Sequence, residues 1–104
     1  MARLFAVIRT HGPAWKEGQP LEQQDNWRGH ADFMDGLEAE GFAVFAGPLE
    51  GTRDALVILS AGDAAEVRRR LQGDPWGEDM LKLAWIAPWD LRLGAQHLSR
   101  DSRE

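Results

Sequence analysis

Gly41-Phe42-Ala43-Val44-Phe45-Ala46-Gly47-Pro48-Leu49-Glu50-Gly51-Thr52-Arg53-Asp54-Ala55-Leu56-Val57-Ile58-Leu59-Ser60 decides the fold of this chain. Two short runs of apolar and β-branched residues, Phe42–Ala46 and Ala55–Ser60, flank a segment with the composition of a turn. Gly47-Pro48 ends the first run and Glu50–Asp54 leads into the second, which is the pattern of a β-hairpin. Upstream, Pro20 to Gly41 reads as a helix: Pro20 suits a first helical position, Glu22 suits the positive end, and Gly41 stops it. Downstream, Asp63 with Glu66 three positions on reads as a capping box for a second helix, Ala64–Gln72, with Val67 and Leu71 on its inner side and Gly73 at its end. Ala2–Arg9 supplies a strand before the first helix, ended by Thr10-His11-Gly12-Pro13, and Leu81–Ala87 supplies one after the second, closed by Pro88-Trp89.

The order strand, helix, strand, strand, helix, strand predicts an α+β, ferredoxin-like βαββαβ domain, a four-stranded antiparallel sheet with two helices on one face. Residues 1–94 form that domain and residues 95–104 read as a polar tail. Strands one, three and four carry apolar residues on both sides, so the face away from the helices is expected to meet a partner. An identical sheet related by a two-fold axis is the economical one, which predicts a homodimer through the sheet faces.

Composition narrows the function. The 104 residues suit one domain. No run approaches the roughly 18 apolar residues of a membrane span, and Met1–Ile8 is short for a signal peptide, so a cytoplasmic protein without membrane association is expected. The absence of cysteine removes disulfides, thiolate metal sites and cysteine nucleophiles. With 12 basic and 17 acidic side chains, the net charge of -5 argues against nucleic acid as a partner. No metal-ligand spacing, phosphate-cradling loop or nucleophile elbow occurs, so neither cofactor nor metal is expected. Five tryptophans suit either a core or a pocket for a flat organic molecule.

The candidate chemistry starts at His30. Helical steps from Trp27 bring His30, Met34, Leu37 and Gly41 onto one stripe, with Phe33 beside it, so the imidazole is expected to face inward. It is either a packed core histidine or an acid/base group. In the latter role it needs a carboxylate to accept from Nδ1 and fix the tautomer. Asp74, in the turn Gly73-Asp74-Pro75-Trp76, is the best candidate, although capping that turn would by itself account for an aspartate there. Trp27, Phe33 and Trp76 are candidate pocket walls, and His11, just after strand one, is a candidate second polar contact. Gly29 and Gly36 each cost about 1 kcal/mol in a helix, and Gly29 is read as room for a ligand beside His30. Arg9 is read as an exposed strand-end arginine, in preference to a counter-charge for an anionic substrate.

Strand one, His30–Leu37, Gly41-Phe42, Ala46-Gly47-Pro48-Leu49, Gly73-Asp74-Pro75-Trp76 and Ala87-Pro88-Trp89 together resemble, in order and spacing over roughly residues 1–94, the YciI-like (YCII-related) proteins. The resemblance implies a small dimeric α+β barrel in which His30 and Asp74 correspond to a proposed His/Asp dyad. It also implies lyase- or isomerase-type acid/base chemistry on a small carbonyl or phenolic metabolite. Some relatives eliminate hydrogen chloride from chlorinated lactone or hydroquinone-type intermediates. The Thr10–Trp15 loop departs from the shortest members. A non-catalytic dimer that binds a small molecule is the alternative reading.

Overall fold

The computed structural model describes residues 2–99. The strands are β1 (Arg3–His11), β2 (Ala43–Pro48), β3 (Asp54–Ala61) and β4 (Leu81–Pro88), and the helices are α1 (Trp27–Ala39), α2 (Ala64–Leu71) and α3 (Ala95–Ser99). The sheet runs β2-β3-β1-β4 with every neighbouring pair antiparallel. This is the ferredoxin-like arrangement that the element order predicts, with the two longest central ladders on β1.

Side-chain alternation divides the sheet into two unlike faces. Phe5 and Val7 of β1, Ala43 of β2 and Val57, Leu59 and Ala61 of β3 are buried together with Leu37 of α1 and Val67 and Leu71 of α2. The opposite side chains of paired residues form the other face: Ile8 pairs with Leu56 and Trp85, and Phe45 pairs with Ile58. There Phe45 is 58% and Trp85 49% exposed. Bulges between Ile8 and Arg9 against β4, and between Ala43 and Phe45 against β3, adjust the register at each edge strand.

Local chemistry sets most boundaries. Gly41, at φ 81°, ends α1. Phe42 N–H donates to Leu37 O and Gly41 N–H to Glu38 O, the paired bonds of a Schellman stop. Asp63 Oδ1 accepts from Glu66 N–H at 2.8 Å, while the Glu66 carboxylate reaches back to Gly62 N–H, one residue further than a standard capping box.

Several expected boundaries move. The first helix does not start at Pro20: Leu21–Gln23 is a single 3-10 turn, Asn26 is left-handed at φ 58°, and the α-helix begins at Trp27. The reason is Gln24, a buried side chain whose amide donates to Lys16 O and Gln19 O and accepts from Lys16 N–H, tying the segment to the preceding loop instead of to a helix. β2 runs through Gly47-Pro48, because an edge strand tolerates a proline whose missing N–H faces away from the ladder. β1 continues to His11, where its N–H donates to Arg53 O. The stretch read as a polar tail carries α3, and residues 100–104 lie outside the described residues. No helix among the described residues is long and apolar enough to cross a membrane.

Leu59, fully buried in the main core, reports the packing. Leu59→Ala is expected to lower unfolding free energy by about 2–5 kcal/mol in urea titrations, and a loss under about 1 kcal/mol would mean the core is not packed as described.

Candidate active site

The helix-facing side of β1 reads Phe5, Val7, Arg9, His11, so the strand passes from core to a basic end in two-residue steps. Arg9 is not an exposed strand-end residue: it is 4% exposed. Its Nη1 donates to Asp74 Oδ2 at 2.7 Å, and its Nη2 donates to Trp76 O and Leu81 O. The sequence reading set Arg9 aside in favour of an exposed residue, yet its position in phase with Phe5 and Val7 is a signal that it points inward and needs a carboxylate.

Asp74 follows α2 in the turn before β4 and is 5% exposed. Its carboxylate takes hydrogen bonds from three directions: Arg9 Nη1, Trp76 N–H at 2.9 Å, and His30 Nδ1 at 3.0 and 2.9 Å from Oδ1 and Oδ2. Capping its own turn and holding His30 therefore coexist on one group. Burial pushes the Asp74 carboxyl upward, but the bonds from His30, Arg9 and Trp76 outweigh it and hold the group below the ordinary carboxylate value. An ionised carboxylate only accepts, so His30 Nδ1 carries a proton, and in the neutral imidazole Nε2 is then the acceptor nitrogen. Nε2 has no hydrogen-bond partner among the described residues.

His30, 8% exposed, is positioned by α1 and by stacking on Trp76, with ring centroids 3.9 Å apart and planes 10° from parallel. Trp76 is itself pinned by its Nε1–H donating to Asp25 O at 2.6 Å. Trp27 stands beside both rings, 6.0 Å from each. Trp15 meets Trp76 edge-on and His11 stacks on Trp15 at 3.9 Å. The loop that carries Trp15 is clamped to the segment before β4 by Gly12 N–H donating to Met80 O and Ala14 N–H to Asp79 O. The approach is so close that a Cβ at Gly12 would lie 2.3 Å from Asp79 O.

These side chains line a cavity of about 630 Å³ between α1 and the β2–β3 hairpin, to which Arg9, His11, Trp15, Trp27, His30 and Trp76 contribute. A smaller cavity of about 390 Å³ touches Arg9, Asp74 and Trp76 from the side of α2 and β4. Of the residues singled out from sequence, His11, Trp27, His30 and Trp76 converge on the larger cavity, with Asp74 directly behind His30. Phe33 instead packs on the main core beside Gly73. Gly29 faces the Asn26 side chain, whose Oδ1 would sit 2.6 Å from a Cβ at that position, and it is not among the residues that line the larger cavity. Burial draws the His11 imidazole down; Glu17 opposes this, Arg53 adds to it and Asp54 opposes it, leaving it below the ordinary value of 6.5. Among the described residues, no three His, Cys, Asp or Glu side chains are grouped to hold a metal ion.

No family model and no curated protein matches the chain in sequence. Among solved structures, it is similar to a 5-chloro-2-hydroxyhydroquinone dehydrochlorinase from Burkholderia phenoliruptrix AC1100, in complex with 2,5-dihydroxybenzoquinone. The TM-score is 0.59 at 20% identity, over 88% of this chain and 95% of that one. The likeness is one of fold.

The Asp74 network has a pH signature. Its folded value lies below the unfolded one, so its contribution to stability is complete above the ordinary carboxyl value of 3.8 and is lost as pH falls through the folded value. Asp74→Asn, which strands the buried Arg9 charge, is expected to lower stability at neutral pH by about 3 kcal/mol. The gap to the wild type should narrow below about pH 4. Denaturant midpoints across that range check this, and a gap independent of pH would contradict it.

Proposed function

We propose that the larger cavity is the active site of a small-molecule enzyme that uses His30 as a general base, oriented by Asp74, in a lyase- or isomerase-type step on a small hydroxylated-ring or carbonyl compound. The observation that carries this reading is the asymmetry of His30. Its Nδ1 is committed to a buried carboxylate already compensated by Arg9, while Nε2 is left with a lone pair in an aromatic-lined cavity. Nε2 takes a proton from a hydroxyl or from a carbon made acidic by a neighbouring carbonyl. In an elimination, the electron pair so freed forms the new double bond as the leaving group departs with its own pair, and the imidazolium then returns its proton to solvent. Asp74 steadies that imidazolium, and Arg9 keeps Asp74 ionised and fixed. Aromatic walls suit a flat substrate.

The dehydrochlorinase of the same fold makes chlorinated hydroxyhydroquinones the first compounds to test, with the residue pattern of the YciI-like proteins pointing the same way. Chloride release by ion chromatography is the measurement. His30→Gln is expected to lower turnover at least about 100-fold while circular dichroism and melting remain close to wild type. Residual activity within about threefold of wild type, or recovery of a bound metabolite chemically unchanged, would replace this reading with a non-catalytic binding module.

The same reading includes a cytoplasmic homodimer through the face that carries Phe45 and Trp85. That face is apolar, continuous across four strands and unmatched by any element of this chain among the described residues, and a two-fold axis would bring it against its own copy. Light scattering at micromolar concentration is expected to give twice the chain mass, and Trp85→Glu to halve it. A wild-type chain that scatters as a monomer would rule the dimer out.

A further inference from the structure

The charges around the larger cavity restrict what it can hold. Each element that encloses it contributes an acidic residue: Glu17 from the loop before α1, Asp35 from α1, Glu50 from the β2–β3 turn and Asp54 from the start of β3. The cations of the lining are two arginines, Arg9 and Arg28, with no lysine among the described residues. Both are engaged. Arg9 is buried and donates to Asp74, Trp76 O and Leu81 O, while Arg28 pairs with Asp32 one helical turn along α1. On the acidic side Glu17 is held by Arg53, whereas Asp35, Glu50 and Asp54 make no ion pair among the described residues.

The imidazoles do not reverse this balance. Burial above all holds the His11 imidazole below its ordinary value, so it is not a cation at neutral pH. The base role of His30 requires its ring, too, to be neutral before the reaction. A ligand that brings its own carboxylate therefore meets an excess of like charge and no free cation, and it leaves water for an aromatic wall without a compensating ion pair. An uncharged ring avoids that cost. When its hydroxyl or acidic carbon gives a proton to His30, the anion forms beside the imidazolium created in the same step, so no further cation is required.

We propose that this cavity selects uncharged hydroxylated rings and rejects analogues that carry a carboxylate, with Asp35 and Glu50 as specificity-determining residues. The inference deepens the enzymatic reading of the cavity and rests on it for the hydroxylated ring and for the neutral resting state of His30.

The test uses the full chain and two probes of nearly equal size and shape, 2,5-dihydroxybenzamide and 2,5-dihydroxybenzoate, titrated calorimetrically at neutral pH. The wild type is expected to bind the amide at least about tenfold more tightly than the carboxylate at low ionic strength, and the ratio to fall in about 0.5 M sodium chloride. Asp35→Asn combined with Glu50→Gln, both at exposed positions, should bring the ratio to about threefold or less by tightening the carboxylate. Equal binding of the two probes by the wild type, or a preference that survives salt or the double variant undiminished, overturns the inference. Binding of neither probe overturns it as well, because a ring of this kind is then not the ligand. Chloride release that depends on His30, found together with equal binding, overturns the inference and leaves the enzymatic reading in place. A salt-sensitive amide preference, lost in the double variant, in a chain that turns nothing over upholds charge selection and removes the enzymatic reading.

Discussion

The candidate site depends on one buried ion pair, Arg9 with Asp74. A guanidinium and a carboxylate withdrawn from water are tolerable only when their hydrogen-bonding capacity is used, and here it is used on parts of the chain that would otherwise be independent. Arg9 sits on the central strand β1, Asp74 in the turn after α2, His30 on α1, and the carbonyls of Trp76 and Leu81 at the entry to β4. The pair thus fixes where α1, the turn and the fourth strand stand relative to one another. It also explains why an aspartate bearing this burden can stay ionised so far from solvent.

The helix-facing side of the sheet has two functions along one strand. At the Phe5 and Val7 end it meets Leu37, Val67 and Leu71 in an apolar core, and at the Arg9 and His11 end the helices no longer cover it closely. Tryptophans fill the difference. Their rings supply apolar area while each keeps one N–H, so Trp76 can be buried, hold Asp25 O and still leave a flat surface for His30. A second small cluster of Trp76, Met80 and Leu81, backed by Trp15, Leu21 and Trp27, is therefore both a core and the wall of a cavity.

The opposite side of the sheet follows another logic. Ile58 is buried even there, because a central strand is flanked on both sides, whereas Phe45 and Trp85 on the edge strands stay open to water. One chain can cover only one face of a four-stranded sheet with two helices. Among the described residues, the apolar side chains at the edges of the second face, Phe45 and Trp85, are left open to water.

The sequence by itself determined the element order, the hairpin, the Gly41 stop and the Asp63 cap, because each rests on residues within a few positions of one another. It also marked His30 as inward and Asp74 as its partner, through helical phase in one case and a motif in the other. Tertiary structure alone decided the rest. Arg9 is recognisable as part of the site only when Asp74, 65 positions away, closes on it. The start of α1 moved to Trp27 because Gln24 found better partners in the loop behind it. Helical propensity and periodicity report what a segment does alone. A buried amide, guanidinium or carboxylate instead goes where its hydrogen bonds can be met, and that is known only once distant parts of the chain have come together.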